Sequence, residues 1–431
     1  TLARPPTALM RFTIPANAKT WVEIDSDTEF PIQNLPFAPF FHAESEQPGA
    51  GFRIGNYVFD VMTWTELSPE RDAIDLNCFS IFQEEFAAKV SEARKRVYQI
   101  LSEEANDTVR ARARECLVPA ESLELWAGVE PRTFVDFYSG IHHASNVGRM
   151  FRPDQPPLLP NYRHLPIGYH GRASSVMPSG FDVIRPWGQI KPGDGDPIFT
   201  PTRELDFELE MGAWIGIDTD LGEQLSVADA QDAIAGFVLV NDWSARDVQR
   251  WEYQPLGPFL AKSFMTSFSE WMVLPDALIG AEVSGIPQEP APLPYLSHPE
   301  PRSYDIQLEV TLQSARMQNP QVIAQSNSKY LYWSFAQQIA HMTSNGTPLC
   351  CGDLYASGTI SGEEPGTFGS MLELTWRGTQ PITLAETGET RTFLEDGDTL
   401  TLRGWTMVNG IKIGFGEVSA TVLSANPAVA R

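Results

Sequence analysis

A chain of 431 residues exceeds what one ordinary core organises, and its 34 prolines and 32 glycines beside 42% hydrophobic residues point to short strands and many turns, so two domains of mainly β (α+β) class are expected. With 31 Lys and Arg against 55 Asp and Glu the net charge is −24, which argues against nucleic acid and anionic membranes as partners and requires any anionic substrate to meet local cations or a metal. Four cysteines without CxxC spacing argue against a structural zinc; with no apolar run near the ~18 residues of a membrane span and no signal-peptide pattern from Thr1 to Pro6, a cytoplasmic protein is expected.

Along the chain, Gly55-Asn56 separates two short apolar stretches and predicts a hairpin. Apolar residues at Phe82, Phe86, Val90, Ala93, Val97 and Leu101 predict one long amphipathic helix beginning near Ser80. The texture changes by Pro131, which places a domain boundary near 128, between an N-terminal domain of residues 1–128 and a larger one of 129–431. Beyond it, a helix is expected from Ser226 to Gly236 and another from about Ser328 to Asn345-Gly346, while Ile306 to Gln313 alternates as a strand wet on one face. No internal repeat or low-complexity tract occurs.

Three stretches carry chemistry. In Leu205–Met211, strand alternation puts Leu205, Phe207 and Leu209 on one side and Asp206, Glu208 and Glu210 on the other. Such a stripe is either a solvated face or a divalent-cation site, since carboxylates converge without large repulsion only around a cation. The apolar strand Gly236–Val240 ends in Asn241-Asp242, where Asp242 is either a ligand on a rigid support or a helix cap. Asp136, Tyr138, His142 and His143 fall within eight residues, an acid, a phenol and two imidazoles, one of which could act as a general base. Spacing alone does not choose between the two histidines. Gly257 to Ser263 lacks the glycines of a phosphate loop, Gly358 to Gly362 has the wrong order for a serine-nucleophile elbow, and no HExxH occurs.

Longer runs carry a resemblance. Asp136-Phe137-Tyr138-Ser139, Pro166 to Ser175, Asn241-Asp242-Trp243-Ser244-Ala245-Arg246-Asp247, Trp251-Glu252-Tyr253, Pro255 to Leu260, Ala356 to Gly362 and Phe368 to Leu374 resemble the fumarylacetoacetate hydrolase family, and the likeness extends from Phe30 onward. The resemblance implies a small N-terminal SH3-like barrel, a larger C-terminal mixed β-roll and a homodimer. It also implies hydrolysis of 4-fumarylacetoacetate to fumarate and acetoacetate, the last step of tyrosine and phenylalanine breakdown. By resemblance, Ca²⁺ ligands fall on Asp136, Glu208, Glu210 and Asp242, and a Mg²⁺ site involves Asp242, Lys262 and Thr266. Substrate contacts fall on Tyr138, Arg152, Gln249, Tyr253 and Thr359, and the water-activating pair on His143 and Glu373. Arg246, Gln249 and Lys262 are expected to stabilise an oxyanion.

Two positions depart from the family's pattern: Met265 where Gly is usual, and His142 where Gln is common. The readings this leaves open are another diketo-acid hydrolase or decarboxylase of the superfamily, such as an acylpyruvate hydrolase or an oxaloacetate decarboxylase, and a non-catalytic calcium-binding protein.

Overall fold

The computed structural model describes residues 11–43, 46–69, 74, 81–126 and 129–427. It is mostly sheet. Near the N-terminus, five antiparallel strands lie in the order Leu117–Pro119, Tyr57–Asp60, Pro48–Ile54, Phe37–His42, Leu123–Leu125. The predicted hairpin is present, and Gly55 takes the positive φ (54°) of its turn, which a residue without Cβ adopts at no steric cost.

The long helix spans Phe86–Leu101 and turns Phe86, Ala87, Val90, Ala93, Val97 and Leu101 inward. It starts later than the apolar spacing predicts. Glu85 sits at φ 61°, in the left-handed region, so Phe82 belongs to a turn and not to the helix; Ser80 lies outside the described residues.

Seven strands form the sheet that carries the site, in the order Gly168–Gly171, Phe134–Phe137, Leu354–Ala356, Leu209–Ile215, Ile234–Asp242, Thr266–Phe268, Val176–Pro178. It is mixed, with two parallel pairings, Leu354–Ala356 on Phe134–Phe137 and Thr266–Phe268 on Val176–Pro178. Ile234–Asp242 is apolar on both faces because both are covered. Phe237 and Leu239 pack with Leu308 and Leu402 of a second, five-stranded sheet, while Val238 and Val240 pack with Trp126, Trp214 and Phe268 on the N-terminal side. A strand buried on two sides reads as a continuous apolar run, and its end is a rigid place to mount a polar group.

Two other helices are shorter than expected. Val227–Asp232 is capped by Ser226 but gives way at Ile234 to the central strand, whose pairing with Leu209–Ile215 overrides the local pattern. The helix expected from Ser328 begins only at Phe335: Leu331, Tyr332 and Trp333 leave it to fill the core, and Ser334 with Gln337 forms a capping box. Its predicted stop stands, with Gly346 at φ 86°. Among the described residues no helix is long and apolar enough to cross a membrane.

Candidate active site

The central strand ends at Asp242, which is buried. It is no helix cap, because the next helix, Arg246–Glu252, begins after Ala245. Antiparallel pairing sets Leu209 opposite Asn241 and Glu210 opposite Val240, and Phe134–Phe137 brings Asp136 to the same end of the sheet. Asp136, Glu208, Glu210 and Asp242, all buried, each offer a carboxylate oxygen within 4.8 Å of the others.

The solvated-face alternative for Leu205–Met211 does not survive, since every residue of the segment is buried. Nor is the segment one strand. Leu205–Asp206 pairs with Ser244–Ala245, Leu209–Ile215 joins the main sheet, and the chain bends between them, where Glu208 N donates to Asn241 Oδ1 at 3.1 Å. The bend breaks the alternation. Glu208 and Glu210 reach the cluster, whereas Asp206 turns away to Arg246.

Cations and donors ring the acids. Lys262 Nζ lies 2.5 Å from Glu208 and 2.8 Å from Asp242, and Arg246 Nη1 lies 2.8 Å from Glu208. Thr266 Oγ1 donates to Asp242 at 2.5 Å and the Tyr169 hydroxyl at 3.0 Å. Burial disfavours the charge on Lys262, but Asp242 and Glu208 outweigh it and hold the ammonium above the ordinary lysine range. Glu208 is likewise resisted by burial yet drawn below the usual range by Lys262 and Arg246.

Asp136 and Glu210 behave oppositely. Burial, followed by repulsion from neighbouring carboxylates, pushes both well above the normal range. Asp136 Oδ1 and Glu210 Oε1 are also buried without a hydrogen-bond partner. Orphaned anionic oxygens converging in a dry site are what a hard divalent cation satisfies, so the residues fit a metal. Met265 packs its side chain into the hydrophobic core.

Beside the acids, the helix Ile141–Phe151 carries His143 inward. Its Nδ1 meets Glu373 Oε2 at 2.6 Å. Glu373 is buried, which raises its pKa, but His143 and the donors Asn146 Nδ2, Ser361 Oγ and Ser370 Oγ, each at 2.9 Å, bring the net value below normal. The carboxylate is therefore ionised. With Nδ1 engaged, Nε2 is the imidazole nitrogen left for chemistry. His142 is half-buried, its ring edge against Tyr330.

A cleft of about 420 Å³ joins both groups, lined by Asp136, Glu208, Lys262, His143, Arg246 and Tyr169 among others. Tyr138, Arg152, Gln249, Tyr253 and Thr359 line it too, so the structure brings the expected substrate contacts to the same cavity as the acids and the imidazole. Arg152 donates from its guanidinium to the Pro157 carbonyl at 3.2 Å, while its Nε is buried without a partner, as is Thr359 Oγ1. Burial pushes Tyr138 up, which keeps its phenol protonated.

Asn146, Ser361, Ser370 and Tyr169 are site residues that none of the motifs above singles out. Asn146 was within reach, since it lies one helical turn after His143 on the same face. Ser370 stands three residues before Glu373, the Ser-x-x-Glu spacing of a helix start, and caps that short helix, whereas no spacing links Ser361 or Tyr169 to the site.

A buried imidazole–carboxylate pair opening on the same cleft as an acidic cluster and two buried cations is the equipment of a hydrolase. The family model described as fumarylacetoacetase N-terminal matches residues 33–126, and that described as fumarylacetoacetate (FAA) hydrolase C-terminal matches 132–423. The chain belongs to the fumarylacetoacetate hydrolase family. It is 43% identical to the fumarylacetoacetases of Bos taurus and Homo sapiens, over 94% of this chain and 99% of each relative, and 42% identical to that of Arabidopsis thaliana over 95% and 99%. A solved fumarylacetoacetate hydrolase from the psychrophilic Exiguobacterium antarcticum shares the fold with a TM-score of 0.51 at 16% identity, over 90% of this chain and 99% of that one.

Proposed function

We propose that the protein hydrolyses the carbon–carbon bond of 4-fumarylacetoacetate, giving fumarate and acetoacetate, the last step of tyrosine and phenylalanine breakdown. The observation that carries this is the His143–Glu373 pair opening on the same cleft as the four-carboxylate cluster. The identity to curated fumarylacetoacetases over nearly the whole chain supports the substrate.

Asp136, Glu208, Glu210 and Asp242 would hold Ca²⁺, and Asp242, Lys262 and Thr266 would shape a Mg²⁺ site. Such ions supply Lewis acidity toward the oxygens of a 1,3-diketone.

The chain's own residues do the rest. His143 Nε2 accepts a proton from water as that water attacks the ketone carbon of the fumaroyl group, the carbon that becomes a carboxylate of fumarate. Glu373 fixes the tautomer and balances the imidazolium. Arg246, Gln249 and Lys262 face the oxygen on which charge develops; Arg246 Nη2 is buried without a partner and Nη1 is held by Gln249 at 3.1 Å. When the carbon–carbon bond breaks, its electron pair leaves with the acetoacetate fragment, and His143 returns its proton there. Arg152, Tyr138, Tyr253 and Thr359 orient the substrate, Arg152 by offering a guanidinium to a terminal carboxylate.

The same reading includes a division near residue 128, supported by family segments that end at 126 and resume at 132, and, on the resemblance and the sparse cysteines, a cytoplasmic homodimer.

Loss of fumarylacetoacetate absorbance, measured with and without a chelator, tests the proposal. We expect turnover that the chelator abolishes and that added Ca²⁺ or Mg²⁺ restores. Absence of turnover with metal present would refute the activity, and chelator-resistant turnover would refute the role of the cluster.

A further inference from the structure

Of the three acids in Leu205–Met211, Asp206 alone has no part in the cluster, yet it is fully buried. Its two oxygens are filled symmetrically. Oδ1 accepts from the amides of Met371 at 2.6 Å and Phe207 at 2.8 Å; Oδ2 accepts from Arg246 Nε at 2.7 Å and the amide of Leu372 at 3.0 Å. Four donors occupy the roughly four lone-pair sites of a carboxylate, which leaves no oxygen free for a cation.

Each partner leads to a different half of the site. Arg246, gripped at Nε by Asp206, directs Nη1 to Glu208 at 2.8 Å and to Gln249, and its Nη2 is left buried and unpaired in a side chain that lines the cleft. Met371 and Leu372 open the short helix Met371–Leu374, whose next residue is Glu373, the holder of His143. One carboxylate thus sets both the guanidinium plane and the seat of the Glu373 backbone.

We propose that Asp206 is a positioning residue for hydrolysis, acting through Arg246 on the oxyanion side and through the Met371–Leu374 helix on the base side; this rests on the hydrolase reading above. A bare structural anchor would add stability without coupling to turnover. A misplacement on the order of 1 Å in either partner costs about 100-fold in rate, so turnover is the sensitive readout.

Asp206→Asn is the test, because asparagine has one acceptor oxygen and its NH₂ must face either Arg246 Nε and Leu372 N or Met371 N and Phe207 N. In the metal-loaded, full-length protein, assayed well below its melting temperature, kcat should fall at least about 30-fold, while KM and Ca²⁺ affinity by calorimetry stay within about threefold. In an Arg246→Met background, where only the arm through the Met371–Leu374 helix remains, the same change should cost less, so that the combined loss falls short of the product of the single losses.

An unchanged kcat with a lowered melting temperature would overturn the proposal, as would fully multiplicative losses. Should Asp206→Asn not fold, Asp206→Glu, which keeps the charge but shifts the carboxylate, is read in the same way. Failure of both to fold would assign Asp206 to the scaffold alone. Wild-type protein inert toward fumarylacetoacetate would instead overturn the hydrolase reading itself, which separates the two failures.

Discussion

Two adjacent histidines divide the roles at the residue scale. His143 is buried on Glu373 and lines the cleft; His142, one residue earlier on the helix, points about 100° away and rests on Tyr330. His143→Ala should therefore lower kcat by about 10²- to 10⁴-fold, the usual worth of a general base, while leaving binding of a diketone analogue intact. His142→Ala should leave kcat within about twofold. Steady-state kinetics with analogue titration checks both, and a larger loss at His142 would reverse the assignment. Arg152 belongs to the same scale. Its guanidinium is held by the Pro157 carbonyl, its Nε is buried without a partner, and the side chain lines the cleft.

At the scale of elements, the site depends on how closely the His143 helix approaches the Thr359 loop. Gly140 caps that helix, and a Cβ placed there would stand 2.1 Å from the Thr359 carbonyl oxygen, a backbone atom that cannot swing aside. Gly140→Ala must push the helix and the loop apart, so His143 and Thr359 lose register together. We expect kcat to fall by at least about tenfold, with a lower melting temperature. Kinetics and a thermal melt on one preparation decide it: a wild-type kcat would mean the approach is not needed for chemistry. The Leu205–Met211 bend is the second element of this kind. It sends Glu208 and Glu210 to the cation cluster and Asp206 to Arg246, a partition that regular alternation would forbid.

Over the whole molecule, acid stability is set by buried groups as well as by the charge of −24. His298, which meets Ser334 Oγ at 2.9 Å, is pushed from 6.5 down to about 4, by burial first and by Arg302 second. Between these values the unfolded chain holds a proton that the folded chain does not. The stabilisation from neutral His298 is thus complete above pH 6.5 and is lost as the pH falls through about 4. His298→Gln removes that linkage, so its melting temperature should fall less steeply than that of the wild type across this window. Parallel profiles would show that His298 is not responsible.

The hairpin at Gly55, the inward face of the long helix, the apolar strand ending in Asp242 and, through runs of matched residues, the family are all legible in the amino-acid sequence. These are local patterns or long identities, and each is encoded within one segment. Apart from the family resemblance, which already points to Asp242 as a ligand and to His143 as the partner of Glu373, local spacing leaves open a solvated stripe or a buried cluster, Asp242 as cap or as cluster member, and which histidine meets Glu373; the fold closes all three. Each of those depends on what a distant segment brings up: Asn241 bends Leu205–Met211, the 371–374 helix receives Asp206, and Glu373, 230 residues away in sequence, selects His143. Burial and long-range hydrogen bonding give a carboxylate or an imidazole its role, and neither is a property of spacing along the chain.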